Sequence, residues 1–303
     1  MEKEASGRRG THQRRSPQVG ENNSLYVSIS QVPMLGTLPS WMVSVLVNSE
    51  QLLMSAYEKL YEGKAKVVYK TDDPDILSVH FKDDATAFNA QKRGQIVGKG
   101  EMNCKISTRL FQLLQAADIP THFIDSPAAG QMRVWRVDIV PIEAIIRNIA
   151  AGSLCRQTGL PLGKILPKPL VEFCYKNDEL GDPLLTRDRL QLLEVATPEQ
   201  IQTIENYCRR INQILQDFFS ECDITLVDFK LEFGMVPPTA GASSPFAPGT
   251  LLLADEISPD SCRLWQQSEE DPQKRVLDKD RFRQNLGEVE AAYQQVLDRV
   301  TSH

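Results

Sequence analysis

The stretch Leu226-Val227-Asp228-Phe229-Lys230-Leu231-Glu232-Phe233-Gly234 decides how this chain is read. In a β-strand successive side chains point to opposite faces. Read as a strand, it buries Val227, Phe229, Leu231 and Phe233 on one face and sets Asp228, Lys230 and Glu232 in a row on the other. An ammonium group between two carboxylates on a rigid strand is suited to holding a metal–nucleotide. The same alternation also describes an ordinary strand with a solvated charged face. A second acidic segment shifts the balance toward the first reading. The apolar run Leu251-Leu252-Leu253-Ala254 ends in Asp255-Glu256, so pairing of the two strands would bring further carboxylates beside Glu232.

Composition removes several function classes. The chain has 303 residues, 24% of them charged and 41% hydrophobic, the balance of an ordinary soluble globular protein. A net charge of −6 does not suit a nucleic-acid binder that works by neutralising phosphates, though it leaves room for a local basic pocket. The six cysteines form no C-x-x-C pair, so neither a zinc site nor a thioredoxin-type site is signalled. The four histidines lie far apart in sequence and give no His-based metal or nucleophile site. Reduced, mostly buried cysteines fit the cytosol. No apolar run reaches the ~20 residues needed to span a bilayer, and Trp41 to Val47 has no signal-peptide layout.

Residues 1–53 are rich in Arg, Ser, Asn, Gln and Gly, show no sustained period, and are expected to hold little fixed structure. Met54 is the preferred initiator, because Glu2, Glu4 and Glu21 count against a transit segment. A cytoplasmic location follows, with organellar import by residues 1–53 left open.

From Leu60 onward the pattern predicts strands at Lys66–Lys70, Ile76–Phe81, Arg133–Val140 and Ile142–Ile149. An amphipathic helix is predicted over Glu101–Ala117, and a last helix over about Lys279–Val300. The clearest helix starts at Thr197-Pro198-Glu199-Gln200, where Thr197 is a good N-cap, Pro198 suits the first turn and Gln200 completes a capping box. Pro237–Thr250 is a Gly/Ser/Pro/Ala loop linking the two acidic strands. Strands first, then mixed strands and helices, predict an α+β fold of two lobes with a cleft between them.

Further segments offer candidate chemistry or read as connectors. Gly63 followed by Lys64 and Lys66 at a strand start is no Walker loop, yet can cover phosphates with N–H groups and ammonium charge; a plain turn explains it as simply. Arg147 offers a planar fork for carboxylate or phosphate and Ser153 a hydroxyl, in a stretch whose Ala-Ala-Gly-Ser allows close backbone approach. A surface ion pair is the plainer reading of Arg147, and Arg263 invites the same two readings. Asp84 to Lys92, Gly98-Lys99-Gly100 and Lys176 to Pro183 read as loops.

Taken together and in this order, LYEGKAKVVY, KGEMNCK, RNIAAGSL, KNDELGDP, LVDFKLEFG, ADEISPDSCRLW and DKDRFRQNLG resemble the SAICAR synthetase family from about Lys59 to Val300. The Asp84–Lys92 stretch is variable in that family, and the Pro237–Thr250 loop is longer than expected for it. The resemblance implies a two-lobed fold distantly like protein kinases and ATP-grasp enzymes. Its β-rich nucleotide lobe would cover residues 54–140 and its α/β substrate and metal lobe residues 141–303. It implies an ATP- and Mg²⁺-dependent ligase that joins L-aspartate to the carboxylate of carboxyaminoimidazole ribonucleotide (CAIR) in purine biosynthesis. On it, Gly63, Lys64, Lys66 and Lys176 hold the nucleotide, Glu232 and Asp255 ligate Mg²⁺, and Lys230 neutralises charge on the transferred phosphoryl group, with Asp228 as its catalytic neighbour. Arg147, Ser153 and Arg263 grip the CAIR phosphate and carboxylate, with Ser258 and Asp260 shaping the same pocket. Family members usually self-associate, so a homo-oligomer is expected. The alternative is a kinase-like phosphotransferase on a related fold, for which the H-R-D catalytic loop is missing.

Overall fold

In the computed structural model, which describes residues 58–87 and 91–303, the short segments after Glu58 form antiparallel strands. The readings made for residues 1–53 and Met54 lie outside the described residues. All described residues belong to one compact unit, Met54–His303.

The elements in chain order are β1 (Lys59–Glu62), β2 (Lys66–Lys70), β3 (Ile76–Phe81), β4 (Asp84–Ala87), β5 (Lys92–Gln95), α1 (Lys99–Ala116), β6 (Phe123–Asp125), β7 (Gln131–Trp135) and β8 (Asp138–Ile149). There follow α2 (Gly152–Thr158), β9 (Ile165–Tyr175), β10 (Leu184–Leu185), α3 (Arg187–Leu192), α4 (Pro198–Glu221), β11 (Ile224–Met235), β12 (Leu251–Ala254), β13 (Cys262–Gln266), α5 (Asp280–Gln284) and α6 (Val289–Thr301). One sheet has the order β1-β2-β3-β7-β6, a second the order β10-β9-β8-β11-β12 with β13 also on β11, and β4 pairs with β5 alone. The expected α+β class is what the chain adopts.

Four expectations about elements need correction. Asp84 to Lys92, read as a loop, begins with β4 and ends in the first residue of β5, and the two pair antiparallel. The single strand read over Arg133–Val140 is two, ending one sheet at Trp135 and opening the other at Asp138. The last helix is also two: Asn285 takes φ +57° and Gly287 φ +73°, a left-handed stop that separates α5 from α6. Gly98-Lys99-Gly100 is no connector but the start of α1, where the Asp83 carboxylate accepts from the Gly98 and Gly100 N–H groups at 3.0 and 2.9 Å. A Cβ at Gly100 would lie 2.7 Å from the Phe81 carbonyl oxygen, so a side chain there would drive α1 off β3.

The helix predicted from Thr197 forms as read. Thr197 Oγ1 accepts from Gln200 N–H at 3.2 Å while Gln200 Oε1 accepts from Thr197 N–H at 2.8 Å. Its buried stripe of Ile201, Ile204, Cys208, Ile211, Leu215 and Phe219 packs in the main core with Phe229, Leu231 and Phe233 of β11. Helix α1 adds Ile106, Leu110, Phe111 and Leu114 to the same core, and Phe111 stacks on Phe123 with ring centroids 5.8 Å apart. Burying such side chains stabilises by roughly 1.5–3 kcal/mol each before chain entropy is set against it.

Strand β11 departs from regular register twice, against β8 between Glu232 and Gly234 and against β13 near its start. Its register with β13 slips between Leu226 and Asp228. Val227 therefore leaves the Phe229–Leu231–Phe233 face and packs with Ala151, Trp265 and Val276 in a small separate cluster. The slip is a bulge, which re-aims the side chains that follow it.

Candidate active site

Strand β11 is flanked on both edges, and this places the site. On one edge it pairs with β8, matching Asp228 to Arg147 and Glu232 to Glu143. On the other, its N-terminal half pairs with β13, matching Asp228 to Arg263, and its C-terminal half with β12, matching Glu232 to Ala254. The two acidic segments therefore do pair, and Asp255 follows directly after the residue opposite Glu232. Between β12 and β13 the chain leaves the sheet, and Lys230 N–H donates across the gap to Ser261 O at 2.9 Å.

Two charged clusters result, about 7 Å apart along one strand face, since residues two apart rise by that distance. The first surrounds Lys230. Its ammonium donates to Glu232 at 2.6 Å and Glu143 at 2.9 Å, and lies 3.7 Å from Asp255. Lys66 donates to Asp255 and lies 3.0 Å from Glu256; Lys176 donates to Glu232. Three ammonium groups thus meet four carboxylates. Burial pulls the Lys230 pKa down, but the charges of Glu232, Asp255 and Glu143 outweigh it and hold the group well above the ordinary lysine value. Burial raises the Asp255 carboxyl, and Lys66 and Lys230 overcome this, so it stays ionised far below the usual carboxylate range.

The second cluster surrounds Asp228, which is 4% exposed. Arg263 Nη1 donates to both its oxygens at 2.8 and 3.0 Å, and Arg147 Nη1 donates at 3.3 Å. Each guanidinium is oriented by a further carboxylate, Glu172 on Arg147 Nε at 2.6 Å and Asp280 on Arg263 Nε at 2.8 Å. Arg147 Nη2 also donates to Ser153 Oγ at 2.9 Å. Gly152 takes φ +52°, and a Cβ there would lie 2.5 Å from the Arg263 guanidinium, so glycine is what lets α2 approach that side chain.

The sequence-predicted residues divide accordingly. Lys66, Lys176, Lys230, Glu232 and Asp255 meet at one point, and Arg147, Ser153, Asp228 and Arg263 at a second. Gly63 closes the β1–β2 turn by donating to Lys66 O at 2.8 Å, and half-exposed Lys64 pairs with Asp178 at 2.8 Å, two residues from Lys176. Neither Ser258 nor Asp260 bonds the Arg147–Asp228–Arg263 cluster. Ser258 Oγ donates to Glu256 at 2.5 Å, whereas the Asp260 carboxylate accepts from Lys99 at 2.8 Å, Tyr293 at 2.7 Å and Lys279 at 3.5 Å. Glu143, Glu172 and Asp280 were missed as site residues. Glu143 shares strand parity with Arg147, so the alternation that exposed Glu232 also signalled it.

The residues fit a magnesium ion. Among the described residues no three His, Cys, Asp or Glu side chains already close on one point. Two convergent carboxylates, Glu232 and Asp255, are what Mg²⁺ needs when phosphate oxygens and water complete its shell. No helix among the described residues is long and apolar enough to cross a membrane.

A family model described as SAICAR synthetase matches residues 59–300. The chain belongs to the SAICAR synthetase family. The phosphoribosylaminoimidazole-succinocarboxamide synthase of Trichodesmium erythraeum is 62% identical over 250 residues, which are 82% of this chain and 99% of that protein. Among solved structures, the corresponding synthase of Ehrlichia chaffeensis is 40% identical with a TM-score of 0.74, covering 81% of this chain and 99% of that one. A SAICAR synthetase solved in complex with ADP is 41% identical with a TM-score of 0.73, covering 81% and 98%.

Proposed function

We infer that the protein is an ATP-dependent ligase that joins L-aspartate to the carboxylate of CAIR, giving the succinocarboxamide, ADP and phosphate in purine biosynthesis. The observation that carries this reading is the convergence of Glu232 and Asp255, from neighbouring strands, on Lys230 at 2.6 and 3.7 Å. Family membership favours the ligase over the kinase-like alternative.

A carboxylate is a poor acyl donor. Attack of its oxygen on the γ-phosphorus of ATP releases ADP and leaves an acyl phosphate; the aspartate amine then forms the amide bond and expels phosphate. Phosphoryl transfer depends on positioning and charge neutralisation and needs no protein nucleophile. Glu232 and Asp255 are the groups that would hold Mg²⁺, whose charge would screen the phosphate oxygens. Lys66 and Lys176 would bind the phosphates, with Lys64 and the Gly63 turn at the rim. Lys230 stays central and neutralises charge growing on the transferred group. Arg147 and Arg263, bridged by Asp228, with Ser153 steadying Arg147, bind the anionic groups of CAIR. Ser258 and Asp260 shape the segment that delivers Arg263. In this reading residues 54–140 form the nucleotide lobe and residues 141–303 the substrate and metal lobe, and the enzyme works in the cytoplasm as a homo-oligomer.

The test is ADP release with CAIR and aspartate supplied together and singly. Release is expected with both and at most slow release with either alone. Full release without aspartate, or with neither substrate, would replace the ligase by a kinase or an ATPase.

A further inference from the structure

One face of α1 carries three buried polar side chains, Lys99, Asn103 and Ser107. Spacing of four residues stacks them in a row. Polar groups so deep in a core are costly unless partnered. The outer two find partners on the same short segment, the one between β12 and β13. Ser107 Oγ donates to Ile257 O at 3.0 Å and accepts from Ile257 N–H at 3.2 Å, so both backbone groups of that residue are held. Lys99 Nζ donates to Asp260 at 2.8 Å, with the two side chains only 1% and 5% exposed. Asp255, at the head of the segment, has φ +63°, the left-handed turn by which the chain leaves β12.

We propose that Ser107 and Lys99 are positioning residues, with α1 serving as the template that fixes the Asp255 carboxylate toward Glu232 and the metal–nucleotide. The proposal rests on Asp255 as a metal ligand. Ser107 acts two residues beyond it, and Lys99 holds the far end of the segment through Asp260. Removing an outer-shell partner of a metal ligand typically lowers metal affinity 10–100-fold.

The experiment is calorimetric titration of the full chain with ADP, with and without Mg²⁺, which gives the metal-linked gain in ADP affinity. Ser107→Ala is expected to cut that gain by about tenfold and leave metal-free ADP affinity at the wild-type value. Lys99→Met is expected to change it in the same direction. If circular dichroism shows Lys99→Met unfolded, Ser107→Ala decides alone. In an Asp255→Asn background Ser107→Ala should cause no further loss, because its effect passes through that carboxylate. A wild-type gain in Ser107→Ala overturns the proposal, as does an equal loss with and without Mg²⁺, or the same fold loss in the Asp255→Asn background. Each of these leaves the role of Asp255 standing. A wild-type gain in Asp255→Asn itself overturns the ligand assignment, and the proposal falls with it.

Discussion

Replacing Asp228 by Asn removes one negative charge from between two buried guanidinium groups while leaving shape and volume nearly unchanged. The side chains involved are 6% exposed for Asp228, 4% for Arg147 and 19% for Arg263. Breaking a buried ion pair from one side costs about 3–5 kcal/mol, mostly because the partner charge stays buried. Each arginine here retains a second carboxylate, Glu172 or Asp280. The loss should therefore fall at the lower end, about 3 kcal/mol. For a chain of this size that lowers Tm by roughly 6–12 °C. Urea unfolding and calorimetry at pH 7 measure both quantities. Inorganic phosphate should restore more stability to the variant than to the wild type, because arginines that have lost the Asp228 charge attract an anion more strongly. A loss under about 0.5 kcal/mol, the range of ordinary surface substitutions, would refute the view that Asp228 bridges and neutralises the arginine pair.

Two further substitutions probe the same framework. Gly152→Ala puts a Cβ 2.5 Å from the Arg263 guanidinium in a backbone conformation with φ +52°. It should cost about 1–3 kcal/mol and raise the KM for CAIR more than it lowers kcat; an unchanged KM would contradict that. Asp278 is fully buried, and burial together with the Asp280 charge pushes its carboxyl up to about 7. Because this lies above the unfolded value, the folded protein keeps a proton that the unfolded chain releases. The associated stability is full below about pH 4 and is lost as pH rises toward 7. Asp278→Asn should flatten that decline in Tm, and equal slopes in variant and wild type would refute it.

The row Asp228–Lys230–Glu232 was legible because a two-residue period needs no knowledge of neighbours. The capping box at Thr197 was legible because its partners lie three residues apart. Pairing of β11 with β12 was foreseeable only as a condition, since register is set across the chain. Val227 was put on the wrong face, with Phe229, Leu231 and Phe233, because the bulge that turns it exists only against β13. The partners of Asp260 could not be read for a similar reason, because a loop side chain goes where distant partners draw it, here Lys99 on α1, Lys279, and Tyr293 on α6. Lys99 was read only as part of a loop between two glycines, and the packing of α1 against the β12–β13 segment is what buries it. The stop between α5 and α6 was present in Asn285-Leu286-Gly287 and was passed over.

That Glu232 and Asp255 share one cation is tested most directly by crystals grown with Mn²⁺ and ADP. The anomalous difference peak of manganese should lie at bonding distance from a carboxylate oxygen of each residue, with Lys66 and Lys176 turned to the phosphates. A peak bonded to other residues, with Glu232 still paired to Lys176 and Asp255 to Lys66, would contradict the assignment.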